Sequence, residues 1–436
     1  MNLSRFYKTS PAKLSKSIDD YLNKDYLKFH TPAHAGKANP RDLSEVEGLD
    51  DLQNPKEVLL DSQNFIAKLF GAQQSYFLTG GASQGILAAI IALKKYLSIK
   101  QDTRPVLLAR NVHKSVISGF IQTGLDCQFF EPKWNEDLGL FSRIDFSQLE
   151  LENYSALIIT NPTYEGFYSK VPELKIPLIV DEAHGAHYHF SDKLPEPALN
   201  YGADIVIQSW HKCLGSLTQS GITHISKNSK ISSELFFESL NLIQSTSPSY
   251  LLLESLVTTA ETMAENGKEI FAEKIEQAQK YKILDEYPND DPLRKLIWHN
   301  NICGEALDQV FSKKKVMLES TLFNSVLAFI NIGNSEEDLF KLKAISEELE
   351  LQSLNYCNAQ LLKEPDFGNQ VMNMQNAFNS TSKELSLDES IGKISAELYA
   401  PCPPGIPILI PGQEITSNCL SIIKHSQEKD SIKVVK

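Results

Sequence analysis

The chain alternates between two patterns of apolar residues. Short runs of valine, isoleucine, leucine and phenylalanine, bounded by glycine, proline, asparagine or aspartate, are typical of buried β-strands. Longer stretches in which apolar residues recur with helical spacing are typical of amphipathic helices. The short runs predict strands at 74–78, 106–109, 126–130, 156–160, 178–180, 204–208 and 325–330. The longer pattern predicts helices at 58–70, 84–97 and 113–123.

This alternation of strands and helices predicts an α/β fold. Strands joined by helices form βαβ units, whose strands lie mainly parallel in one sheet. After residue 232 the chain becomes largely helical, and the region from 291 carries further strands, which predicts a smaller α+β domain at the C-terminus. We therefore expect an N-terminal arm with a short helix over 1–56, a large domain over 57–290 and a small domain over 291–436.

Composition and charge narrow the class of protein. The 436 residues suffice for one large domain and a smaller one. With 42 basic and 55 acidic residues the net charge is −13, which argues against a nucleic-acid-binding protein. The six cysteines form no close pair, as a disulfide framework or a zinc ribbon would require. Because the N-terminus lacks the apolar core of a secretory signal and no long apolar run occurs, we expect a soluble, cytoplasmic protein without a membrane partner.

An acid and an amine follow two consecutive predicted strands. Asp181 comes directly after the first strand, and Lys212 lies just beyond the second, 31 residues further along. One crossover between the strands brings both side chains to the carboxyl edge of a parallel sheet, where open α/β sheets bind ligands. A buried carboxylate at that edge either needs a charged partner or caps the following helix. Ser209 and His211 flank Lys212 as polar donors suited to a phosphate.

Two further segments follow strands in the same way. The glycine turn at 80–83 opens a helix, and its small residues let backbone N–H groups approach an anion near the positive end of the helix dipole. The same sequence also suits an ordinary turn. His113 follows the strand 106–109, and its imidazole either begins the next helix or acts as an acid or base in a site.

Taken in order, these motifs resemble the Orn/Lys/Arg decarboxylase family of fold-type I enzymes that use pyridoxal 5′-phosphate (PLP), in its short form. The matching segments span nearly the whole chain, so their order is more specific than any single motif. They lie at residues 29–32, 44–52, 80–83, 111–115, 161–166, 181–184, 209–212, 245–250, 403–407 and 411–412. The resemblance implies decarboxylation of lysine, arginine or ornithine to CO2 and a diamine or agmatine, as part of polyamine metabolism.

The resemblance also implies roles for individual residues. Lys212 would bind PLP as a Schiff base, Asp181 would bond the pyridine nitrogen, and His113 would stack on the ring. Lys212 or His113 would return the proton to the substrate carbon. Ala183 would pack beneath the ring, beside His184. The residues around the phosphate would be Gly81, Ala82, Ser83, Ser209 and His211.

The resemblance further implies a homodimer, because the family's sites form between two subunits. Ser247 would then reach the phosphate bound by the neighbouring subunit. The chain departs from the usual family pattern in segments expected near the substrate: Ala33 and Ala35 replace glycine and lysine in the arm, and Cys402 and Gln413 replace an aromatic residue and a glutamate in the closing segment. These departures leave the cofactor chemistry intact and bear on the choice of substrate.

Several alternatives remain open. Lysine, arginine and ornithine each need an acidic or polar group at the far end of the pocket, for which Glu165 or an acid of the partner chain could serve. The same cofactor also supports aminotransferases, aldolases and carbon–sulfur lyases, or a PLP-binding protein without turnover. Residues 181–184 match the Asp-Glu-Ala-His of RNA helicases, but the chain lacks their phosphate-binding loop. A zinc site at His184, His187 and His189 would need further ligands, so no metal is expected.

Overall fold

The computed structural model describes residues 13–24, 26–283, 286–299, 302–351, 363–401, 405–426 and 429–436. Cys402 and the first two residues of the family-like segment 403–407 lie outside these ranges. The helices are α1 (Lys13–Leu22), α2 (Val58–Phe70), α3 (Gly81–Lys100), α4 (Lys114–Thr123), α5 (Trp210–Cys213), α6 (Ser233–Asn241), α7 (Tyr250–Lys280), α8 (Gly304–Lys313), α9 (Glu336–Leu351), α10 (Met374–Asn379) and α11 (Ser417–Ser426). The strands are β1 (Gln74–Leu78), β2 (Val106–Ala109), β3 (Cys127–Phe130), β4 (Trp134–Asn135), β5 (Leu140–Phe141), β6 (Ala156–Thr160), β7 (Leu178–Asp181), β8 (Ile205–Gln208), β9 (Gly221–Ile225), β10 (Arg294–Trp298), β11 (Ser320–Thr321), β12 (Ser325–Phe329), β13 (Ser382–Ser386) and β14 (Ser431–Val435).

A seven-stranded sheet forms the centre of the large domain. Its order is β1-β9-β8-β7-β6-β2-β3, and the five strands from β8 to β3 run parallel. The two remaining strands add an antiparallel edge, because β9 runs against both β8 and β1. The predicted α/β fold with a mainly parallel sheet is confirmed. The carboxyl ends of the parallel strands therefore share one edge, as the spacing of Asp181 and Lys212 predicts.

The apolar runs locate most of the strands of this sheet. The predicted bounds of β1, β2 and β6 agree with the structure. Strands β2 and β6 are almost wholly buried and consist almost entirely of apolar residues, whereas in β1 only the last three residues form an apolar run. Strand β9 was not predicted from the sequence. Its residues Thr223 and His224 interrupt the apolar pattern, although both are buried, and His224 Nδ1 lies 2.8 Å from Ser75 Oγ on the neighbouring strand.

Helix α3 packs against this sheet and also contacts α4 and α6. By length and composition alone, α3 is apolar enough to cross a membrane. The core helix of a soluble protein meets the same criterion, and half of the apolar stretch of α3 is buried inside the structure. Gly85 brings the helix close to the sheet, since a Cβ there would lie 2.6 Å from Thr223 Oγ1 and 2.7 Å from Leu78 Cδ1. The helix begins at Gly81, three residues before the predicted start, so the glycine turn is its first turn.

The C-terminal part carries smaller sheets and packs back onto the large domain. Strands β10, β12 and β11 form one antiparallel sheet, and β13 pairs with β14. An apolar cluster joins Phe141 of β5 to Phe367, Ile408 and Leu409. In the arm, α1 packs on α2 and α7, and Arg41 Nε donates to Glu254 of α7 at 2.9 Å.

The domain boundaries at residues 56 and 290 remain predictions from the sequence.

Candidate active site

A cavity of about 880 Å³ opens at the carboxyl edge of the sheet, between the large domain and the C-terminal part. Ten residues that the sequence analysis assigned to the site line this cavity: Gly81, Ala82, Ser83, His113, Asp181, Ala183, His184, Ser209, His211 and Lys212. The eleventh, Ser247, is exposed on the segment before α7 and does not belong to this wall. Its predicted role concerns the neighbouring subunit's site and stays a prediction.

Lys212 lies within the short helix α5, and it lines the cavity. Its Nζ atom lies 2.9 Å from Nε2 of His184, in the loop after β7. Burial lowers the pKa of His184 well below its ordinary value, and the charges of Lys212 and Arg294 lower it further. The imidazole is therefore neutral and serves the lysine amine as a hydrogen-bonding partner rather than as a competing cation.

Asp181 is the last residue of β7 and is 5% exposed. Its Oδ1 accepts a hydrogen bond from the backbone N–H of Ala183 at 3.1 Å. Asp181 does not cap a helix, because the next helical turn begins at Ala186 with Gly185 as its N-cap. Burial raises the pKa of this carboxyl, and the positive charges of His113 and Lys212 oppose that rise. A carboxylate so placed favours a cationic group in the cavity in front of it.

His113 begins helix α4, which is one of the two roles that its sequence position left open, and its role as an acid or base stays a prediction. It precedes α4 as the N-cap, where Nδ1 accepts from the backbone N–H of Ser115 at 3.2 Å and lies 2.7 Å from Ser115 Oγ. The ring also lines the cavity. Burial lowers the pKa of His113, and the Asp181 carboxylate opposes this shift. The helix start thus fixes the orientation of the ring.

The first turn of α3 and the start of α5 provide donors for an anion. Gly80 precedes α3 and has no side chain to cap it, while the three residues that follow line the cavity. Ser209 precedes α5, is 2% exposed and makes no capping bond with its side chain. His211 Nδ1 lies 3.0 Å from Ser220 O, which orients that ring. Backbone N–H groups at a helix start, with hydroxyl and imidazole donors nearby, are typical of a phosphate site.

Three buried polar atoms of the cavity residues have no hydrogen-bonding partner among the residues described. They are Asn111 Oδ1, Thr160 Oγ1 and His184 Nδ1. Buried polar groups are normally paired, so these atoms indicate that the cavity is built for a polar ligand. A lysine amine, a buried carboxyl group and a phosphate-type helix start on one wall fit PLP.

Several groups of the other wall come from the C-terminal part. No local sequence signal points to Phe367 or Ile408 as lining residues, whereas Ile406 belongs to the family-like segment 403–407 in the closing part, which was expected near the substrate. Glu165, named earlier for the far end of the pocket, does line the cavity at 3% exposure, and burial raises its pKa to about 7. Glu305 of α8 also lines the cavity.

The three histidines weighed as zinc ligands contact different partners. His184 meets Lys212, His187 Nε2 lies 3.0 Å from Asp291 Oδ2, and His189 stacks on Phe70 with 4.8 Å between ring centroids. Within the described ranges, no group of three or more histidine, cysteine or acidic side chains is arranged to hold a metal ion.

Comparison with known structures gives the class of the fold. The constitutive lysine decarboxylase of Escherichia coli superposes with a TM-score of 0.78 at 19% identity, over 100% of this chain and 82% of that chain. A NifS-like protein superposes with a TM-score of 0.54 at 15% identity, over 80% of this chain and 98% of that one. The fold is that of the fold-type I PLP enzymes.

Comparison of sequences then gives the family. The model of the Orn/Lys/Arg decarboxylase major domain matches residues 34–287, and that of the C-terminal domain matches residues 358–431. The chain belongs to the Orn/Lys/Arg decarboxylase family, as its motifs predicted. An arginine decarboxylase of Halalkalibacterium halodurans is 30% identical over 92% of this chain and 90% of its own length. The constitutive lysine decarboxylase of Escherichia coli is 22% identical over 87% of this chain and 69% of its own length.

Proposed function

We propose that the protein is a PLP-dependent decarboxylase of a basic amino acid. The observation that carries the proposal is the meeting of Lys212, Asp181 and His113 at one sheet edge, in a chain whose relatives are named amino-acid decarboxylases. The expected products are CO2 and agmatine or a diamine, which would place the reaction in polyamine metabolism. The cytoplasm is the expected compartment.

The chain's own residues have separable tasks in this reaction. When bound, PLP supplies an electron sink for the electron pair released at the substrate's Cα. Lys212 would hold the cofactor covalently, and His184 would hydrogen-bond to the lysine amine after its release. Asp181 would keep a proton on the pyridine nitrogen, and the start of α3 with Ser209 and His211 would hold the phosphate. His113, oriented by Ser115, or Lys212 would return a proton to Cα.

One feature of the cavity favours decarboxylation over transamination. An aminotransferase must hold a substrate carboxylate that survives the reaction, and arginine is well suited to this because it binds carboxylates through two parallel bonds. Among the residues described, no arginine lines the cavity. The two acids Glu165 and Glu305 line it instead and suit a cationic side chain. A substrate that loses its carboxylate and keeps a distal cation fits this lining.

Arginine is the first candidate among the basic amino acids. Relatives at 27–30% identity from Bacillus subtilis and Halalkalibacterium halodurans are named arginine decarboxylases, whereas the lysine decarboxylases compared are 22% identical. A guanidinium group can bind a carboxylate through two parallel hydrogen bonds, and this would suit a buried acid such as Glu165.

Turnover of the PLP-loaded protein tests the proposal. The protein is incubated separately with arginine, lysine and ornithine, and released CO2 and the matching amine are quantified. We expect CO2 and agmatine in equal amounts from arginine, no product from Lys212→Ala, and unchanged product from the control Lys193→Ala, which removes an exposed lysine. Keto-acid formation without CO2 release, or no reaction with any of the three amino acids, would refute a basic amino-acid decarboxylase.

We also propose that the enzyme is a homodimer in which Ser247 of one subunit reaches the other subunit's phosphate. If so, Lys212→Ala and Ser247→Asp subunits should complement each other in mixed dimers, because one site then has an intact lysine and an intact serine. Random mixing should restore about one quarter of the wild-type sites. Absence of any recovery, with mixed dimers verified by mass, would contradict the shared site.

A further inference from the structure

We propose that Arg110 is a positioning residue that fixes the wall of the substrate cavity by holding residues 405–408, here named the strap. This inference rests on the proposed function for its link to substrate, and its structural part is measurable without turnover. The strap belongs to the C-terminal part of the chain, and Arg110 belongs to the large domain. The contact therefore joins the two parts at the rim of the cavity.

The guanidinium of Arg110 binds two consecutive carbonyl groups of the strap. Arg110 follows β2 directly and is 1% exposed. Its Nη1 donates to Pro407 O at 2.6 Å and its Nη2 donates to Ile408 O at 3.2 Å. A planar guanidinium that reaches two adjacent carbonyls fixes both their distance and their direction, which a lysine ammonium does not reproduce.

An aromatic ring also packs against the guanidinium of Arg110. The centre of the guanidinium lies 3.9 Å from the centroid of Phe367, whose side chain also lines the cavity. Burial lowers the pKa of Arg110 to about 10, and the nearby Glu131 acts in the opposite direction. A cation this deeply buried is costly unless it is partnered. The strap carbonyls bind both Nη atoms and Phe367 covers the face of the guanidinium, whereas the buried Nε has no hydrogen-bonding partner among the residues described.

The other end of the strap rests on His113. Gly405 O accepts the backbone N–H of Lys114 at 2.9 Å, and Gly405 adopts a φ of +83°. A Cβ at this position would lie 2.9 Å from both Cδ2 and Nε2 of the His113 ring. The strap backbone therefore packs directly on the imidazole, at the left-handed conformation and close approach for which glycine is suited.

The strap thus has two anchors on the large domain and presents side chains to the cavity between them. Ile406, Pro407 and Ile408 all line the cavity. Release of the Arg110 anchor would move this wall while leaving Lys212 and Asp181 in place. Because this wall lines the cavity without contributing Lys212 or Asp181, its displacement should weaken substrate binding more than the chemical step.

The first test compares Arg110→Lys with the matched control Arg143→Lys. Arg143 also lies over a ring, 5.2 Å from the centroid of Phe167, but it pairs with Asp290 away from the strap. For Arg110→Lys we expect KM to rise about tenfold, with kcat and cofactor affinity changed by less than about threefold. The control should retain wild-type constants. Loss of kcat or of cofactor affinity at unchanged KM would overturn the positioning role.

Hydrogen–deuterium exchange tests the same contact in the protein without substrate. In Arg110→Lys, amides of residues 405–412 should exchange about tenfold faster, while those of β6 keep their wild-type protection. Gly405→Ala should release the same segment from the His113 side. This variant replaces Arg110→Lys in the exchange experiment if the arginine variant does not fold. Unchanged exchange of the strap in the folded variant would refute the anchor. Failure of decarboxylation in the wild type would refute the proposed function and leave this result standing.

Discussion

At the scale of single residues, the assigned role of Asp181 depends on the charge of its buried carboxyl group. Its carboxyl is buried at the end of β7, which raises its pKa, while His113, Lys212 and the backbone N–H of Ala183 favour the charged form. Asp181→Asn retains the shape but removes the charge that would keep a pyridine nitrogen protonated. We expect the variant to bind PLP at Lys212 and to lose about 10²- to 10³-fold in kcat. Absorption spectra of the bound cofactor and steady-state rates check this, and a kcat near that of the wild type would contradict the assigned role.

The strand-end residues of the site were predictable, whereas the opposite wall was predictable only in the family-like segment 403–407. Asp181, Lys212 and His113 each follow a buried apolar run, and parallel strands bring such positions to one edge. Arg110 satisfies the same rule and could have been singled out by it. Phe367 reaches the cavity only through the packing of the C-terminal part, for which the local sequence holds no signal.

At the scale of elements, the packing of α3 on the sheet sets the position of the proposed phosphate-binding turn. Gly85→Ala would place a methyl group within 3.0 Å of Thr223, Leu78 and Ile207. We expect a loss of stability of about 1–3 kcal/mol, together with weaker cofactor binding as the start of the helix shifts. Thermal unfolding and PLP titration measure both effects. The control Ser98→Ala alters the exposed end of the same helix and should change neither. Unchanged stability and affinity in Gly85→Ala would contradict the close approach.

The central sheet shows which strands the sequence pattern can locate and which it cannot. Strands β2 and β6 were bounded correctly because burial on both faces leaves a nearly unbroken apolar run, which β1 shows only over its last three residues. The strand β9 is buried as well, but His224 finds partners on both neighbouring strands, and such partners are not visible in the sequence of β9. Tertiary pairing, rather than local preference, made this segment a strand.

At the scale of the whole molecule, a buried ion pair ties the loop after β7 to the start of β10. Burial alone would lower the pKa of His187, but the Asp291 carboxylate reverses the shift and raises it to about 9. A raised pKa in the folded state stabilises the fold below the ordinary value of 6.5, and this contribution is lost as the pH rises through about 9. Its full size is about 3 kcal/mol.

The variant His187→Gln tests this pH dependence. At pH 6 the wild type should unfold at a clearly higher temperature than the variant, and the gap should narrow steadily as the pH approaches 9.5. The exposed pair Lys424–Asp388 offers a control, because Lys424→Gln should give a small and nearly constant difference. A gap between wild type and His187→Gln that stays the same over this range would contradict a charged His187 in the folded protein.

Reductive trapping tests the central claim, that Lys212 carries the cofactor, most directly. The PLP-loaded protein is treated with borohydride, which fixes an imine between cofactor and lysine as a stable amine, and is then digested and mapped by mass. We expect one labelled peptide, with the added mass on Lys212 and none on Lys114 beside His113. Label on a different lysine, or none after loading with PLP, would contradict the assignment of the site.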